Sequence, residues 1–305
     1  MINGIPVVLG TAAFGTSLSQ TDSFKILDKY ASLGGRIIDT ANNYAFWRPN
    51  GKGGESESVI GNWHKQRDRS AYTIMTKIGS QPIAVEKDTS NLEGLSPEAV
   101  YRAVNRSLAR LKTDYIDILL AHHDDKNTQL LDTWRAFSKL VAKGKVRKIG
   151  ISNYSPKRLA ELANIVLEHS LAPIDCVQLM YSIIDPVKGV DFGIYSLLNQ
   201  EMKKTLRTLV PNAVIFAYSP LLRGMVFNKP AESKWPSEYD SIQNRKKVKE
   251  IQCEAEKLDV SPSAYVLKQI ADQGIFPITA TGKINRLATN LKLLTTECTY
   301  YSGYS

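Results

Sequence analysis

Residues 115–153 read YIDILLAHHDDKNTQLLDTWRAFSKLVAKGKVRKIGISN, and the fold follows from this stretch. It opens on a short apolar run, 115–122, and closes on another, Val146–Ser152, both rich in β-branched side chains. Each reads as a strand buried on both faces, as in a parallel sheet. Between them Leu130, Trp134, Phe137 and Val141 recur every three or four residues, so one stripe of a helix is apolar. Strand, helix, strand is the unit from which parallel sheets are built.

The same unit repeats outward in both directions. Further apolar runs at 6–12, 36–40, 72–78, 176–181, 213–218 and 274–280 bring the strands to eight. Helical spacing recurs in Val100, Val104, Leu108 and Leu111, in Leu159, Leu162 and Val166, and in Val248, Ile251, Ala255 and Leu258. Ser96-Pro97, Ser155-Pro156 and Ser261-Pro262 mark three helix starts. At such starts a serine oxygen caps free amides, and proline loses nothing by lacking an N–H. Alternation at intervals of roughly 30 to 45 residues predicts one α/β domain over 1–305, a (β/α)8 TIM barrel. Segments 80–95 and 225–243 read as long loops at its C-terminal face. An open doubly wound sheet is the weaker reading, since no G-x-G-x-x-G follows the first strand.

Composition removes several classes. The chain has 305 residues, 43% hydrophobic and 23% charged, which suits a globular protein with a sizeable core. No apolar run approaches the roughly 18 residues of a membrane span. The start lacks a basic segment followed by a long apolar one, so no secretory signal is expected. Three widely spaced cysteines (Cys176, Cys253, Cys298) with no CxxC fit a reduced, cytoplasmic setting. The net charge of +9 asks whether an anion is bound. Its clusters at 64–69, 143–148, 203–207 and 245–249 are dispersed around the predicted barrel. Nothing resembles a recognition helix or an RNA-stacking sheet, so neither nucleic acid nor membrane is expected as a partner. A homo-oligomer is left open.

Barrel chemistry sits where strands end at the C-terminal face. Those ends carry Asp39, Lys77, His122, Ser152-Asn153, Gln178 and Tyr218-Ser219. With Tyr44, the first three can move one proton together. A phenol, with a pKa of about 10, is a sluggish acid at neutral pH. A neighbouring ammonium is expected to lower that value, while a carboxylate keeps the ammonium charged and aimed. An imidazole can orient a carbonyl oxygen. None of these groups reduces anything, so a hydride donor is needed.

These residues carry a resemblance. Asp39-Thr40-Ala41-Asn42-Asn43-Tyr44 resembles the D-T-A-x-x-Y of the aldo-keto reductases, and Thr76-Lys77 their strand-end T-K. Tyr115-Ile116-Asp117 through His122, Gly150-Ile151-Ser152-Asn153 and Ala217-Tyr218-Ser219-Pro220-Leu221 resemble further motifs, in family order. The resemblance implies an NAD(P)H-dependent carbonyl reductase working without metal or flavin. Tyr44 would be the general acid, Lys77 and Asp39 would tune it, and His122 would position the substrate. Ser152, Asn153 and Gln178 would hold the nicotinamide carboxamide, and Tyr218 would stack on its ring. Thr11 is counted with the cofactor residues, and Ser219, Pro220, Leu221, Arg223 and Gly224 would cover the pyrophosphate.

Arg286, Leu287 and Asn290 match the family's R-[IL]-x-x-N, which meets the adenosine 2′-phosphate and adenine. The lysine often found six residues before that arginine is Ala280 here, with Thr281 and Lys283 close enough to substitute. NADPH is therefore expected, with NADH the alternative. Only residues 295–305 follow Leu294, too few for a substrate-clamping tail. An open pocket of broad specificity is expected, walled by Phe46 and Trp47, with Tyr300, Tyr301 and Tyr304 in reach of the mouth. The expected substrate is a small carbonyl compound, a sugar or a simple aldehyde.

Other readings are weighed beside these. His122-His123 and Asp124-Asp125 suggest a metal, but adjacent strand residues face opposite ways and no HxH or HExxH accompanies them. No metal is expected, and His123 is expected at the rim or helix side. Asp117 reads as a structural hydrogen-bonding residue, Cys176 as packing, and 51–56 as loop and helix start. A regulatory barrel, resembling the β subunits of potassium channels, holds cofactor and turns over slowly. It is the alternative function. A metal-dependent hydrolase, whose activity chelators would abolish, is the third.

Overall fold

In the computed structural model, residues 4–83, 91–224, 227 and 234–295 are described, without the side chain of Arg223. Eight strands form a closed barrel in sequence order. They are β1 (Val8–Gly10), β2 (Ile37–Asp39), β3 (Thr73–Ile78), β4 (Ile116–Ala121), β5 (Val146–Ser152), β6 (Cys176–Met180), β7 (Val214–Tyr218) and β8 (Ile275–Thr279). Every neighbouring pair is parallel, and β1 closes the ring against β8 through Val8↔Ile278. This is the (β/α)8 TIM barrel that the sequence predicts. Among the described residues no helix is long and apolar enough to cross a membrane.

The helices are α1 (Gln20–Ser32), α2 (Glu55–His64), α3 (Pro97–Leu111), α4 (Leu130–Ala142), α5 (Pro156–Glu168), α6 (Gln200–Leu209), α7 (Ile242–Lys257), α8 (Pro262–Ala271) and α9 (Ile284–Thr295). The three Ser-Pro starts behave as expected: Ser96, Ser155 and Ser261 each accept an amide at the head of α3, α5 and α8. The long interval before β8 holds both α7 and α8. Ser241 caps α7, so helix begins at Ile242, inside the segment expected to be loop. Of that segment, residues 225, 226 and 228–233 lie outside the described residues, as do Cys298, Tyr300, Tyr301 and Tyr304.

Two other expectations shift. Leu258 does not extend the apolar stripe of α7; it is the C-cap and 54% exposed. β5 is not buried throughout, since Arg147 and Lys148 reach solvent at its N-terminal end. There Arg147 and Arg69 both pair with Asp117, at 3.0 and 2.6 Å, and the amide of Ile74 donates to the same carboxylate. Asp117 thus holds the floor of the barrel together, as its place inside a strand suggests.

Two apolar layers follow from strand alternation. Val8, Ile37, Met75, Ile118, Leu120, Cys176, Phe216 and Ile278 fill the barrel interior. The alternate residues, among them Leu9, Ile38, Ile74, Leu119, Ile151 and Val177, pack outward against the helices. Gly150 belongs to the inner set. A Cβ there would lie 2.0 Å from the carbonyl oxygen of Cys176, so only glycine lets β5 and β6 approach so closely. Burial pushes the Cys176 thiol up to about 12, so it is inert packing.

Candidate active site

Alternation also aims the polar residues. Asp39, Lys77, His122, Ser152, Gln178 and Tyr218 each lie two positions beyond an inner-layer residue: Ile37, Met75, Leu120, Gly150, Cys176 and Phe216. A period of two keeps them on the inner face, now at the C-terminal mouth. Lys77 is fully buried there, and its three protons all have acceptors. It pairs with Asp39 Oδ1 at 2.7 Å and donates to the Thr40 carbonyl at 2.7 Å and to the Tyr44 hydroxyl oxygen at 3.0 Å. Gln178 Nε2 donates to the same Asp39 oxygen at 2.8 Å. Because the Tyr44 oxygen accepts from Lys77, its own proton is left to point elsewhere. That is the arrangement of a proton donor.

The electrostatics differ from the sequence expectation in one respect. The Tyr44 pKa is raised, not lowered. Burial pushes it well above the usual phenolic value, and the charge of Asp39 and the neighbouring Tyr195 push the same way. Tyr44 therefore keeps its proton at neutral pH. Lys77 is lowered by burial, against which Asp39 acts. Burial, with the charges of His123 and Lys77, holds His122 well below the ordinary histidine value, so the ring is neutral. Its Nδ1 is buried without a hydrogen-bond partner.

Beside this group lie the residues assigned to a cofactor. Asn153 has φ 61°, which turns its side chain back over the mouth. Its Oδ1 accepts from the Tyr218 hydroxyl at 2.6 Å and from the Ser196 amide at 3.3 Å. Its Nδ2 donates to the His122 carbonyl and to Ser152 Oγ, both at 3.0 Å. After Tyr218 the chain turns through Ser219 (φ 56°), Pro220 and Leu221 into a 3-10 turn that includes Arg223 and ends at Gly224 (φ 70°). The Pro220 carbonyl is fixed by Ser182 Oγ at 2.9 Å. After β8, the neighbour of β7, Lys283 and Arg286 are exposed at the start of α9, with Asn290 buried on its inner side. The Thr281 hydroxyl accepts the Lys283 amide at 3.1 Å. Neither cationic side chain makes a hydrogen bond or ion pair among the described residues. Two such cations at a helix N-terminus suit a phosphate group.

A model of the aldo/keto reductase family matches residues 6–302. The chain belongs to that family. It is similar to YrpG, an uncharacterized oxidoreductase of Bacillus subtilis, with 31% identity over 74% of this chain and 65% of that one. It is 35% identical to a norsolorinic acid reductase of Aspergillus flavus, over 48% of this chain and 39% of the relative. The chain thus spans between 39% and 65% of the length of these two relatives. The aldo-keto reductase str7 of Strobilurus tenacellus is 29% identical over 93% of this chain and 80% of its own. Among solved structures, a chain provisionally designated 2,5-diketo-D-gluconic acid reductase B shares the fold, with TM-score 0.70 and 20% identity. The match covers 97% of this chain and 86% of that one.

The aldo/keto reductases are a family of oxidoreductases that act on small carbonyl compounds with nicotinamide cofactors. Two sequence expectations need correcting within this aldo/keto reductase. The Thr11 side chain does not point into the mouth: it is fully buried, its hydroxyl donates to the Asp39 carbonyl at 2.8 Å and lies 2.6 Å from Ser56 Oγ. It shares the outward parity of Val7 and Leu9, so it braces β2 from behind. His123 is not turned away from His122. The ladder ends with the His122 amide on the Ile78 carbonyl, alternation stops there, and the two rings stack at 4.8 Å with 15° between planes.

Other residues of this aldo/keto reductase site carried no sequence signal. Ser80 Oγ lies 2.7 Å from His123 Nδ1, and the Ser80 carbonyl accepts from Asn43 Nδ2 at 3.0 Å. Glu93, in the loop after β3, accepts from Asn42 Nδ2 at 2.6 Å and the Gly79 amide at 2.8 Å, which ties that loop to the Tyr44 segment. Asp124 and Asp125, suggestive of a metal in sequence, are engaged with Arg158 and with the Leu95 amide. Among the described residues no group of three or more His, Cys, Asp or Glu is placed to hold a metal ion.

Proposed function

We propose that this protein reduces aldehydes and ketones of small molecules to alcohols, with NADPH as the hydride source and Tyr44 as the proton donor. One observation carries the reading: the Tyr44 oxygen accepts from a fully buried Lys77 at 3.0 Å, while Asp39 fixes that lysine at 2.7 Å. The phenol is held protonated with its O–H free to meet a substrate oxygen. The neutral His122 ring, 6.0 Å from the Tyr44 ring between centroids, stands beside the same point and orients that oxygen.

A bound nicotinamide supplies the hydride. Ser152, Asn153 and Gln178 would hold its carboxamide, and Tyr218, fixed by Asn153, would give the ring its platform. Ser219, Pro220, Leu221, Arg223 and Gly224 would cover the pyrophosphate. Thr281, Lys283, Arg286 and Asn290 would receive the adenosine end. The cations Lys283 and Arg286, without a partner among the described residues, favour a 2′-phosphate there, hence NADPH over NADH.

The test is consumption of NADPH by the purified protein against a panel of aldehydes and ketones. Sustained turnover supports the reading, and none with any carbonyl overturns it in favour of a barrel that only holds cofactor. In the same assay Arg286→Ala is expected to raise the KM for NADPH roughly tenfold to a hundredfold, the scale of one charge-assisted contact. The KM for NADH should move little. Equal changes for the two nucleotides would mean that Arg286 does not read the 2′-phosphate.

A further inference from the structure

Seven rings follow one another around the mouth. Phe46 and Trp47 meet edge-on at 5.3 Å between centroids, and Trp47 meets Tyr44 at 5.7 Å. Tyr44 meets His122 at 6.0 Å, and His122 stacks on His123. His123 leans on Tyr195 at 5.9 Å, and Tyr195 reaches Tyr218 at 6.4 Å. These rings come from four separate stretches, after β2, after β4, between β6 and α6, and at the end of β7. Three turns of the barrel thus deliver aromatic side chains to a single rim.

The rim is neutral and open. His123, lowered to about 4 by burial and the charge of Lys77, carries no proton charge at neutral pH, and neither does His122. Beneath the rings, Lys77 and Asp39 form a closed ion pair. Trp47 is 45% exposed and Tyr195 48% exposed, with Ile194 beside it also exposed. Large apolar surface at the mouth of a pocket marks a place where a ligand covers it. Tyr195 is also held rather than loose. Its amide donates to the Phe192 carbonyl at 3.2 Å, and the next residue, Ser196, is bound to Asn153 through both its amide and its hydroxyl.

We propose that Tyr195, with His123 behind it, completes an aromatic cup that selects planar aromatic aldehydes and ketones over polyhydroxylated ones, and that Tyr195 is the specificity-determining residue. The inference rests on the carbonyl-reductase reading and narrows its substrate class. A flat aromatic body gains edge and face contacts with Trp47 and Tyr195 while its carbonyl meets Tyr44 and His122. A polyhydroxylated chain has no flat face to lay against these rings and gains less from them.

The experiment compares benzaldehyde with glyceraldehyde in wild type, Tyr195→Ala and Tyr195→Phe, under saturating NADPH. Wild type should favour benzaldehyde in kcat/KM. Tyr195→Ala should cut that ratio about tenfold, through KM rather than kcat, and Tyr195→Phe should restore it, since stacking needs the ring and not the hydroxyl. Ligand-observed NMR with benzyl alcohol and glycerol repeats the comparison without turnover. If no carbonyl is reduced, the reductase reading fails, and the binding preference still decides the cup. An unchanged ratio in Tyr195→Ala, or no preference for the aromatic ligand in wild type, overturns the inference.

Discussion

Tyr44→Phe is expected to lower kcat about 10²- to 10⁴-fold, the contribution of a positioned general acid, while leaving cofactor affinity nearly intact. The substitution removes one oxygen and keeps the ring, so the contacts with Trp47 and His122 survive. What disappears is the only O–H that Lys77 holds at 3.0 Å while leaving its proton free. The chain should remain folded, because the loss is one hydrogen bond at a part-exposed residue. Steady-state kinetics on one aldehyde, beside fluorescence titration of NADPH, measures both quantities. A variant with wild-type kcat would assign the proton to another group.

Lys77→Met is expected to damage activity and stability together. The lysine is fully buried, and its removal leaves Asp39 inside the barrel with Gln178 as its remaining side-chain partner. Breaking such a pair by deleting one member costs about 3–5 kcal/mol. Denaturant unfolding should show a free energy of unfolding lowered by that order, with turnover lost as Tyr44 loses its holder. Replacing both charges, Lys77→Met with Asp39→Asn, should recover much of the stability and none of the turnover. That split separates a charge that holds the fold from one that holds the acid. Full activity in the double variant would show that the ion pair serves only the fold.

The barrel was legible because its strands are short apolar runs set apart by capped, striped helices. Once strand bounds are known to within a residue, parity aims the side chains: Ile37, Met75 and Leu120 point inward, so Asp39, Lys77 and His122 do too. The same parity turns the Thr11 side chain outward, beside Leu9, which a reading by motif alone does not show. His123 does lie at the rim, but it does not face away from His122, because the ladder ends with the His122 amide on the Ile78 carbonyl. The direction of the Tyr44 pKa was not legible either. Sequence names the ammonium and the carboxylate near a phenol but not the burial that raises its pKa. Tyr195 lies in an irregular stretch between β6 and α6, where no period marks which side chain returns to the mouth.

The central claim is that hydride passes from a nicotinamide to a carbonyl carbon at the mouth where Tyr44 waits with its proton. The most direct measurement supplies NADPH deuterated at the transferable position, adds an aldehyde, and follows the label by mass spectrometry. The account predicts an alcohol carrying one deuterium on the former carbonyl carbon, formed by wild type and nearly absent with Tyr44→Phe. Alcohol formed without the label, or labelled alcohol formed equally fast by Tyr44→Phe, would contradict it.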